Sequence, residues 1–159
     1  MSIAIRRARP REAKSLTHIA LAAKRHWGYP DSWLDRWRDA LTITPQYIRR
    51  HHVYVAEESA ERLGFLALVC GDDIALLEHL WVRPESMGRR VGSELFAFAI
   101  QLARTQGMTR VLIESDPNAE GFYARMGAVR VGELSADMDG IRRVLPCMEV
   151  SLAADRPQP

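Results

Sequence analysis

The fold is decided by a stretch that opens with IALLEHLWVRPESMGRRVGS at residues 74–93 and closes with RVLIESDPNAEGFYARMG at residues 110–127. Its first nine residues are mostly apolar and predict a strand, and the segment with glycine and arginine behind them predicts a loop. The apolar residues of 91–105 predict a helix. The second quoted segment predicts another strand, ending near Ser115, and a short helix that carries Tyr123. This order is typical of a right-handed crossover whose first loop can hold a phosphate.

The flanking segments predict a further set of short elements around this unit. Apolar residues at helical spacing follow the first strand, and Asp31 or Ser32 is suited to cap the second helix. Thr44 and Pro45 predict a third helical turn. The remaining strands are predicted at 3–8, 52–57, 63–70, 128–134 and 143–152. The chain therefore reads as one α/β (α+β) domain at 1–152, with a mixed, mostly antiparallel sheet and helices on both faces, followed by a frayed tail at 153–159.

The composition excludes several classes of protein. The 159 residues carry 22 basic and 20 acidic side chains, a net charge of +2, which argues against a dedicated nucleic-acid binder. Apolar runs are too short to span a membrane, and the N-terminus lacks a signal-peptide pattern. Cys70 and Cys147 have neither a metal-site spacing nor a disulfide pattern, so we expect a cytoplasmic protein without a bound metal. The neighbours His51 and His52 point to opposite faces of a strand and read as structural.

The two quoted segments together resemble a known family. Residues 82–95 resemble the acyl-CoA-binding motif of the GNAT N-acetyltransferases, and residues 118–127 resemble the second conserved block of that superfamily. The resemblance implies acetyl-CoA as the cofactor and a sheet whose two parallel strands splay apart to admit it. It also implies that the backbone of Leu80, Trp81 and Val82 pairs with the pantetheine arm.

The loop before the helix is the expected phosphate site. Helix N-termini present unpaired N–H groups and a positive dipole end, and glycine lets the backbone approach an anion closely. Met87 replaces the family's usual Gln or Arg, and Arg90 replaces the first glycine of its Gly-x-Gly pair. Both changes leave the backbone amides in place. The expected contacts to coenzyme A are therefore Met87, Gly88, Arg89, Arg90, Val91, Gly92 and Ser93, together with Asn118, Tyr123 and Arg125.

Acetylation of an amine needs a base for the ammonium and an acid for the departing thiolate. Tyr123 occupies the position at which the family places a tyrosine hydroxyl on the cofactor sulfur, although packing beside Phe122 would also explain it. Glu78 interrupts an apolar strand and is the candidate base, against a salt-bridged rim residue as the alternative. His79 or a water chain is the fallback base. Asn118 also has a plain structural reading as a helix cap, although Asp116 could hold that position instead. Arg125 could simply be a solvated charge.

An aromatic cluster lies on the side where the family binds its acceptor. Two readings stay open. The cluster is either a pocket that favours an apolar or cationic acceptor, or ordinary packing of helices on the sheet. The expected acceptor-binding residues are Trp27, Tyr29, Trp33 and Glu78, and the wider cluster adds Trp37 and Tyr47.

These features predict an enzyme that transfers acetyl from acetyl-CoA to a primary amine of a small molecule, amino acid or peptide by direct attack. A non-catalytic acyl-CoA sensor is one alternative, motivated by the changes at Met87 and Arg90. Acetylation of a protein lysine or N-terminus is another, and a long open acceptor groove would favour it. The final hairpin also leaves room for a homodimer.

Overall fold

The computed structural model of the protein describes residues 2–152, and the predicted tail at 153–159 lies outside them. Short 3₁₀ turns precede three of the regular elements, at Pro10–Glu12, Pro84–Ser86 and Pro117–Ala119. The helices are α1 Ala13–His26, α2 Asp31–Leu41, α3 Pro45–Arg50, α4 Val91–Thr105 and α5 Glu120–Arg125. The strands are β1 Ala4–Arg7, β2 His52–Glu58, β3 Glu61–Cys70, β4 Ile74–Val82, β5 Arg110–Glu114, β6 Val129–Met138 and β7 Ile141–Ser151.

The seven strands form one sheet in the order β1-β2-β3-β4-β5-β7-β6. Strands β4 and β5 are parallel, in register from Ile74 opposite Arg110 to Leu76 opposite Leu112. The β1–β2, β5–β7 and β6–β7 pairs are antiparallel. The predicted fold class, a mixed and mostly antiparallel sheet with one parallel crossover, is confirmed.

Several predicted boundaries shift. The N-cap of α2 is Pro30, so the prediction that Asp31 or Ser32 caps this helix is wrong. Thr44 does cap α3, since its hydroxyl accepts a hydrogen bond from the Tyr47 N–H. Strand β6 extends through Met138, well past the predicted end at 134, because pairing with β7 continues to a tight turn at Asp139.

Contacts group the described chain into two compact units, and the first comprises the residues up to Ala67 together with His79–Phe98. Its core lies between α1 and one face of β2 and β3, where Leu16, Val53 and Phe65 are fully buried. On the opposite face of β2, Tyr54 packs against Phe98 of α4 with ring centroids 4.7 Å apart. Within this unit, helices therefore cover both faces of the strands.

A buried carboxylate ties the N-terminal part of this unit together. Glu12 is 1% exposed and accepts two hydrogen bonds from the Arg6 guanidinium, at 2.9 and 2.8 Å. The Arg62 guanidinium and the Arg9 backbone N–H also donate to it. These donors lower the pKa of Glu12 well below its usual range, so the group stays ionised.

The second unit comprises Leu68–Glu78 and the chain from Ala99 onward. Its buried residues include Leu77, Val111 and Met148. The thiols Cys70 and Cys147 are not joined in a disulfide. Over residues 2–152, no helix is long and apolar enough to cross a membrane.

Candidate active site

The alternation predicted for β4 is observed. Glu78 is exposed and Leu80 is half-buried, whereas His79 between them is only 6% exposed. The face that carries His79 also carries Trp81, which packs against the core beneath α1. Glu78 therefore reaches solvent, which removes the desolvation cost of a carboxylate in an apolar strand.

His79 is held by its neighbours. The Trp81 indole N–H donates to His79 Nδ1 at 3.0 Å, and the His79 ring lies 5.8 Å from Tyr47 and 6.1 Å from Phe65, centroid to centroid. Because Nδ1 accepts this hydrogen bond, the neutral imidazole carries its proton on Nε2. Such a buried, packed imidazole is typical of a structural histidine.

Gly64 of β3 shapes the end of β4, and sequence reasoning missed it. A Cβ at this position would lie 2.6 Å from the Trp81 carbonyl oxygen and 3.2 Å from the Val82 Cα. It would also lie 3.3 Å from Cδ1 of Leu95 on α4. The absence of a side chain at Gly64 is what lets the backbone of Trp81 and Val82 approach β3.

The loop before α4 adopts the left-handed backbone that glycine favours. Gly88 has φ +81°, with open space where a Cβ would stand, and Arg90 has φ +65°. The Glu94 N–H donates to the Arg90 carbonyl oxygen at 3.0 Å, so α4 starts directly after Arg90. A non-glycine residue at such a φ costs about 1 kcal/mol, so Arg90 holds a backbone conformation that glycine would adopt more easily.

The other side chains of this loop differ in exposure. Arg89 is exposed and forms an ion pair with Glu58 at 2.7 Å. Val91 is buried and anchors the start of α4 in the core. Met87, Gly92 and Ser93 are half-buried. At the start of α4, the first backbone N–H groups have no partner within the helix, as in any α-helix, and such a helix start is suited to binding an anion.

In the second unit, Asp116 caps the 3₁₀ turn Pro117–Ala119 that leads into α5. Its Oδ1 accepts the backbone N–H of Asn118 at 2.8 Å and the Asn118 side-chain N–H at 2.9 Å. Its other carboxylate oxygen lies 3.6 Å from Nη2 of Arg143 on β7, and both side chains are nearly buried. Asp116, rather than Asn118, therefore caps the turn, and it fixes the orientation of the Asn118 amide.

Tyr123 lies on α5 and is 7% exposed. Its ring meets Phe122 edge to face at 5.2 Å. Burial, and then the Asp116 carboxylate, raise the pKa of the Tyr123 phenol above its ordinary value. The hydroxyl is therefore protonated throughout the physiological range. Arg125, two residues on, is exposed, and its Nη1 lies 3.4 Å from where a Cβ on Gly121 would stand.

Three aromatic rings surround the ammonium group of Lys24. The Lys24 ammonium lies 4.4 Å from the ring centroid of Trp37, 5.1 Å from Tyr29 and 5.9 Å from Trp81. Tyr29 also stacks on Trp33, which is buried, at 5.8 Å. Trp27 stands apart, exposed and in contact with His26 at 5.7 Å. These contacts occupy ring faces that a cationic acceptor would otherwise use.

A groove of about 640 Å³ opens elsewhere in the first unit. It runs along α1 to the β2–β3 turn and to the segment after β4. Its charged and titratable lining is Lys14, His18, Glu61, Arg62, Arg83 and Glu85. Arg83 forms an ion pair with Glu85 at 2.7 Å and lowers the pKa of that carboxyl. Among the described residues, no three or more His, Cys, Asp or Glu side chains are grouped to hold a metal ion.

Comparisons with known structures agree on the fold. A GCN5-related N-acetyltransferase from Rhodopseudomonas palustris superposes with a TM-score of 0.79 at 22% identity, covering 96% of this chain and 97% of its own. The PaiA N-acetyltransferase of Thermoplasma acidophilum, in complex with coenzyme A, gives 0.75 at 20% identity, over 95% and 99%. The yncA protein of Salmonella typhimurium, with its cofactor acetyl-CoA, gives 0.71 at 18% identity, over 100% and 98%.

Comparison of sequences also finds a match to a protein family. No curated protein sequence matches the chain. Residues 49–127 match the model of an acetyltransferase (GNAT) domain, a range that contains β4, the left-handed loop, α4 and the short helix with Tyr123. Taken with the fold, this match identifies residues 49–127 as an acetyltransferase (GNAT) domain.

Proposed function

We propose that the protein is an N-acetyltransferase that moves the acetyl group of acetyl-CoA directly to a primary amine of a small molecule, amino acid or peptide. The observation that carries the proposal is the backbone before α4. Gly88 and Arg90 both take positive φ there, and α4 begins at the next residue. A turn of this form that leads into a helix is suited to binding phosphate, and its sequence is the one that resembles the family motif.

The residues of this turn suit coenzyme A. The amides of Val91, Gly92 and Ser93 would hold the pyrophosphate, supported by the positive end of the α4 dipole. The open space beside Gly88 leaves the backbone accessible to an anion. Arg90 is exposed and adds positive charge, whereas the charge of Arg89 is shared with Glu58. The backbone of Leu80 to Val82 would pair with the pantetheine arm, and a backbone N–H there would polarise the thioester oxygen.

The acid and the base would come from Tyr123 and Glu78. Acetyl-CoA supplies a thioester whose acetyl group passes to the amine as coenzyme A leaves. Glu78, directly or through water, takes a proton from the acceptor ammonium so that a neutral amine can attack. Tyr123 gives its phenolic proton to the leaving sulfur and regains one from solvent. Forming the amide from an ammonium releases two protons and the sulfur takes one, so each turnover frees one proton overall.

The raised pKa of Tyr123 is compatible with this role. A phenol whose pKa lies above that of an ordinary thiol would transfer its proton uphill in water. A coenzyme A thiolate formed beside the buried phenol and the carboxylate would be destabilised by the same burial and charge. The pKa of the coenzyme A thiol would therefore rise as well. Asn118, oriented by Asp116, would bind a pantetheine amide. The exposed Arg125 would serve the 3′-phosphate.

A second acceptor class is favoured by the groove of about 640 Å³. The aromatic faces are engaged by Lys24, and the groove is open and carries both signs of charge. A peptide or protein segment that presents a lysine or N-terminal amine fits such a groove better than it fits a closed aromatic pocket. Acetylation of a protein amine is therefore the second candidate.

The proposal is tested by following release of the coenzyme A thiol from acetyl-CoA across small amines, amino acids and short peptides. We expect release that depends on the acceptor. Release that requires a whole protein as the added acceptor, with none from the small amines, amino acids or peptides, would select the second candidate. If acetyl-CoA binds in the same samples and no acceptor in the panel produces release, the transferase proposal fails and a sensor function replaces it.

A further inference from the structure

The basic side chains of the protein differ in whether a carboxylate neutralises them. Many of the arginines form ion pairs, as Arg62 does with Glu12 and Arg110 with Glu149. Over residues 2–152, the basic side chains that make neither a hydrogen bond nor an ion pair are Arg9, Arg11, Lys14, Arg49, Arg50, Arg90 and Arg125. The last two lie in the segments already assigned to coenzyme A. The first five have no role in the proposed reaction.

These five side chains lie on neighbouring parts of the first unit. The 3₁₀ turn Pro10–Glu12 contacts α3. Directly before the turn, Nη2 of Arg7 donates to the carbonyl oxygen of Ile48 at 3.1 Å and to that of His51 at 2.7 Å, so the end of β1 is bound to the end of α3. The turn and the start of α1 carry three of the five charges, and the end of α3 carries two. We call this group the basic surface: Arg9, Arg11, Lys14, Arg49 and Arg50.

The charge of the basic surface is not neutralised by ion pairs within the described residues. All five side chains are exposed. Residues 2–11 and 40–56 contain no Asp or Glu. Glu12, which ends the turn, is 1% exposed, and its carboxylate is bound by Arg6 and Arg62. Although the whole chain carries a net charge of only +2, five positive charges are therefore concentrated at this surface, where they would attract an anion.

The basic surface suits an acidic polypeptide better than a nucleic acid. Guanidinium groups bind carboxylates through paired hydrogen bonds, and five charges on short segments match a short acidic stretch. A protein that holds single-stranded nucleic acid also offers aromatic rings on which bases stack. The one ring on α3, that of Tyr47, is half-buried and packs on His51 at 4.8 Å and on His79 at 5.8 Å. The 20 acidic side chains of the chain would also repel a long polyanion.

The groove beside the basic surface gives a second reason. Lys14 belongs to both, since it also lines the groove of about 640 Å³ along α1. Beyond Lys14 the lining includes Ile19 and Ala22, together with charged side chains of both signs. A bound polypeptide can continue from the surface into this groove and gain backbone and apolar contacts there. A phosphate polymer would instead meet the carboxylates of Glu61 and Glu85.

We propose that the basic surface docks an acidic segment of a partner polypeptide. Its arginines donate to Glu or Asp side chains of the partner, and exposed charges of this kind act mainly on the rate and specificity of association. The docking uses no residue assigned to the cofactor, the acid or the base. It therefore does not depend on acetyl transfer, and its test is a binding measurement.

The test follows the anisotropy of a fluorescently labelled octaglutamate peptide that is titrated with the full chain at roughly 50 mM salt. We expect saturable binding that weakens as salt rises, because salt screens exposed charges. The double variants Arg9→Gln/Arg11→Gln and Arg49→Gln/Arg50→Gln each remove two charges from one part of the surface. Each should raise the Kd about fivefold, since an exposed ion pair contributes roughly two- to threefold.

The double variant Arg38→Gln/Arg142→Gln is the matched control. It removes two positive charges from exposed side chains elsewhere, one paired with Asp35 on α2 and one bonded to Ser135 on β7's neighbouring strand β6. Its Kd should stay within about twofold of that of the wild type. A labelled uridine oligonucleotide of about the same length tests the alternative occupant, and it should bind more weakly than octaglutamate. Thermal melting confirms that each variant is folded.

A wild type that shows no saturable binding of octaglutamate would overturn the proposal. Binding that the surface variants weaken no more than the control does would overturn it as well, because the attraction would then come from elsewhere on the chain. Tighter binding of the uridine oligonucleotide would assign the surface to a nucleic acid instead. If one double variant does not fold, the other carries the test, and Lys14→Gln at the exposed start of α1 provides a third change that should raise the Kd about twofold.

Discussion

Replacing Tyr123 with phenylalanine tests the role assigned to its hydroxyl. The ring is 7% exposed and packs edge to face on Phe122, and phenylalanine keeps both features. Only one oxygen is lost, so the free energy of unfolding should change by no more than about 1 kcal/mol. Loss of a positioned general acid lowers turnover about 10²-fold or more, or roughly 3 kcal/mol of barrier. Affinity for coenzyme A should be nearly unchanged.

The assay is initial-rate kinetics with saturating acetyl-CoA, alongside calorimetric titration of coenzyme A. Tyr54→Phe is the control, because Tyr54 is a half-buried tyrosine on β2 whose ring packs on Phe98. It should keep full turnover. If Tyr123→Phe retains turnover within about threefold of the wild type, general acid catalysis by this residue is refuted.

The raised pKa of Tyr123 has a consequence at high pH. The folded protein keeps the phenol neutral, while the unfolded chain ionises near its ordinary pKa of 10. Because of this difference, the contribution of the phenol to the free energy of unfolding is constant below pH 10 and falls as pH rises above 10. Chemical unfolding of the wild type should therefore show a steeper alkaline loss than that of Tyr123→Phe. Equal slopes would contradict the burial of a neutral phenol.

Three further substitutions probe the scaffold. Gly64→Ala should cost about 1–2 kcal/mol in urea unfolding and weaken coenzyme A binding, because the new methyl presses on the Trp81 carbonyl oxygen. Gly132→Ala is the control, because its methyl would meet no atom within 4 Å, and it should do neither. Glu12→Gln should lower the free energy of unfolding by about 3–5 kcal/mol at neutral pH. The difference should shrink progressively as pH falls below 4.5, because the unfolded wild type then takes up a proton that the folded protein still excludes. Arg90→Gly should change the free energy of unfolding by less than about 1 kcal/mol, because relief of the positive φ offsets the extra flexibility of glycine in the unfolded chain. The same variant should bind coenzyme A more weakly at low salt, because a positive charge is lost.

The sequence predicts the features that depend on neighbouring residues, such as strand alternation and helix caps. The alternation that exposes Glu78 and buries His79 follows from strand geometry, and Thr44 caps α3 through its own hydroxyl. The positive φ of Arg90 was not predicted, because arginine itself carries no signal for this backbone conformation. The end of β6 was set too early because residues 137–140 read as a turn, whereas pairing with β7 extends the strand to Met138.

Contacts between distant parts of the chain escaped prediction. Lys24 ends in an aromatic cage whose third ring, Trp81, comes from β4. Asp116 meets Arg143 across 27 positions of sequence. Each depends on how elements pack, and neither residue carries a local signal. The requirement for glycine at Gly64 is similar, since it appears only once the Trp81 backbone lies against β3.

The central claim is that the chain transfers acetyl directly from acetyl-CoA to an amine. The most direct measurement is mass spectrometry of both protein and acceptor, quenched at intervals during turnover with an acceptor that supports thiol release. The account predicts an acceptor that gains one acetyl group for each thiol released, while the protein keeps its unmodified mass throughout. An acetylated protein that forms before the acetylated acceptor and then disappears, or thiol release without an acetylated acceptor, would contradict it.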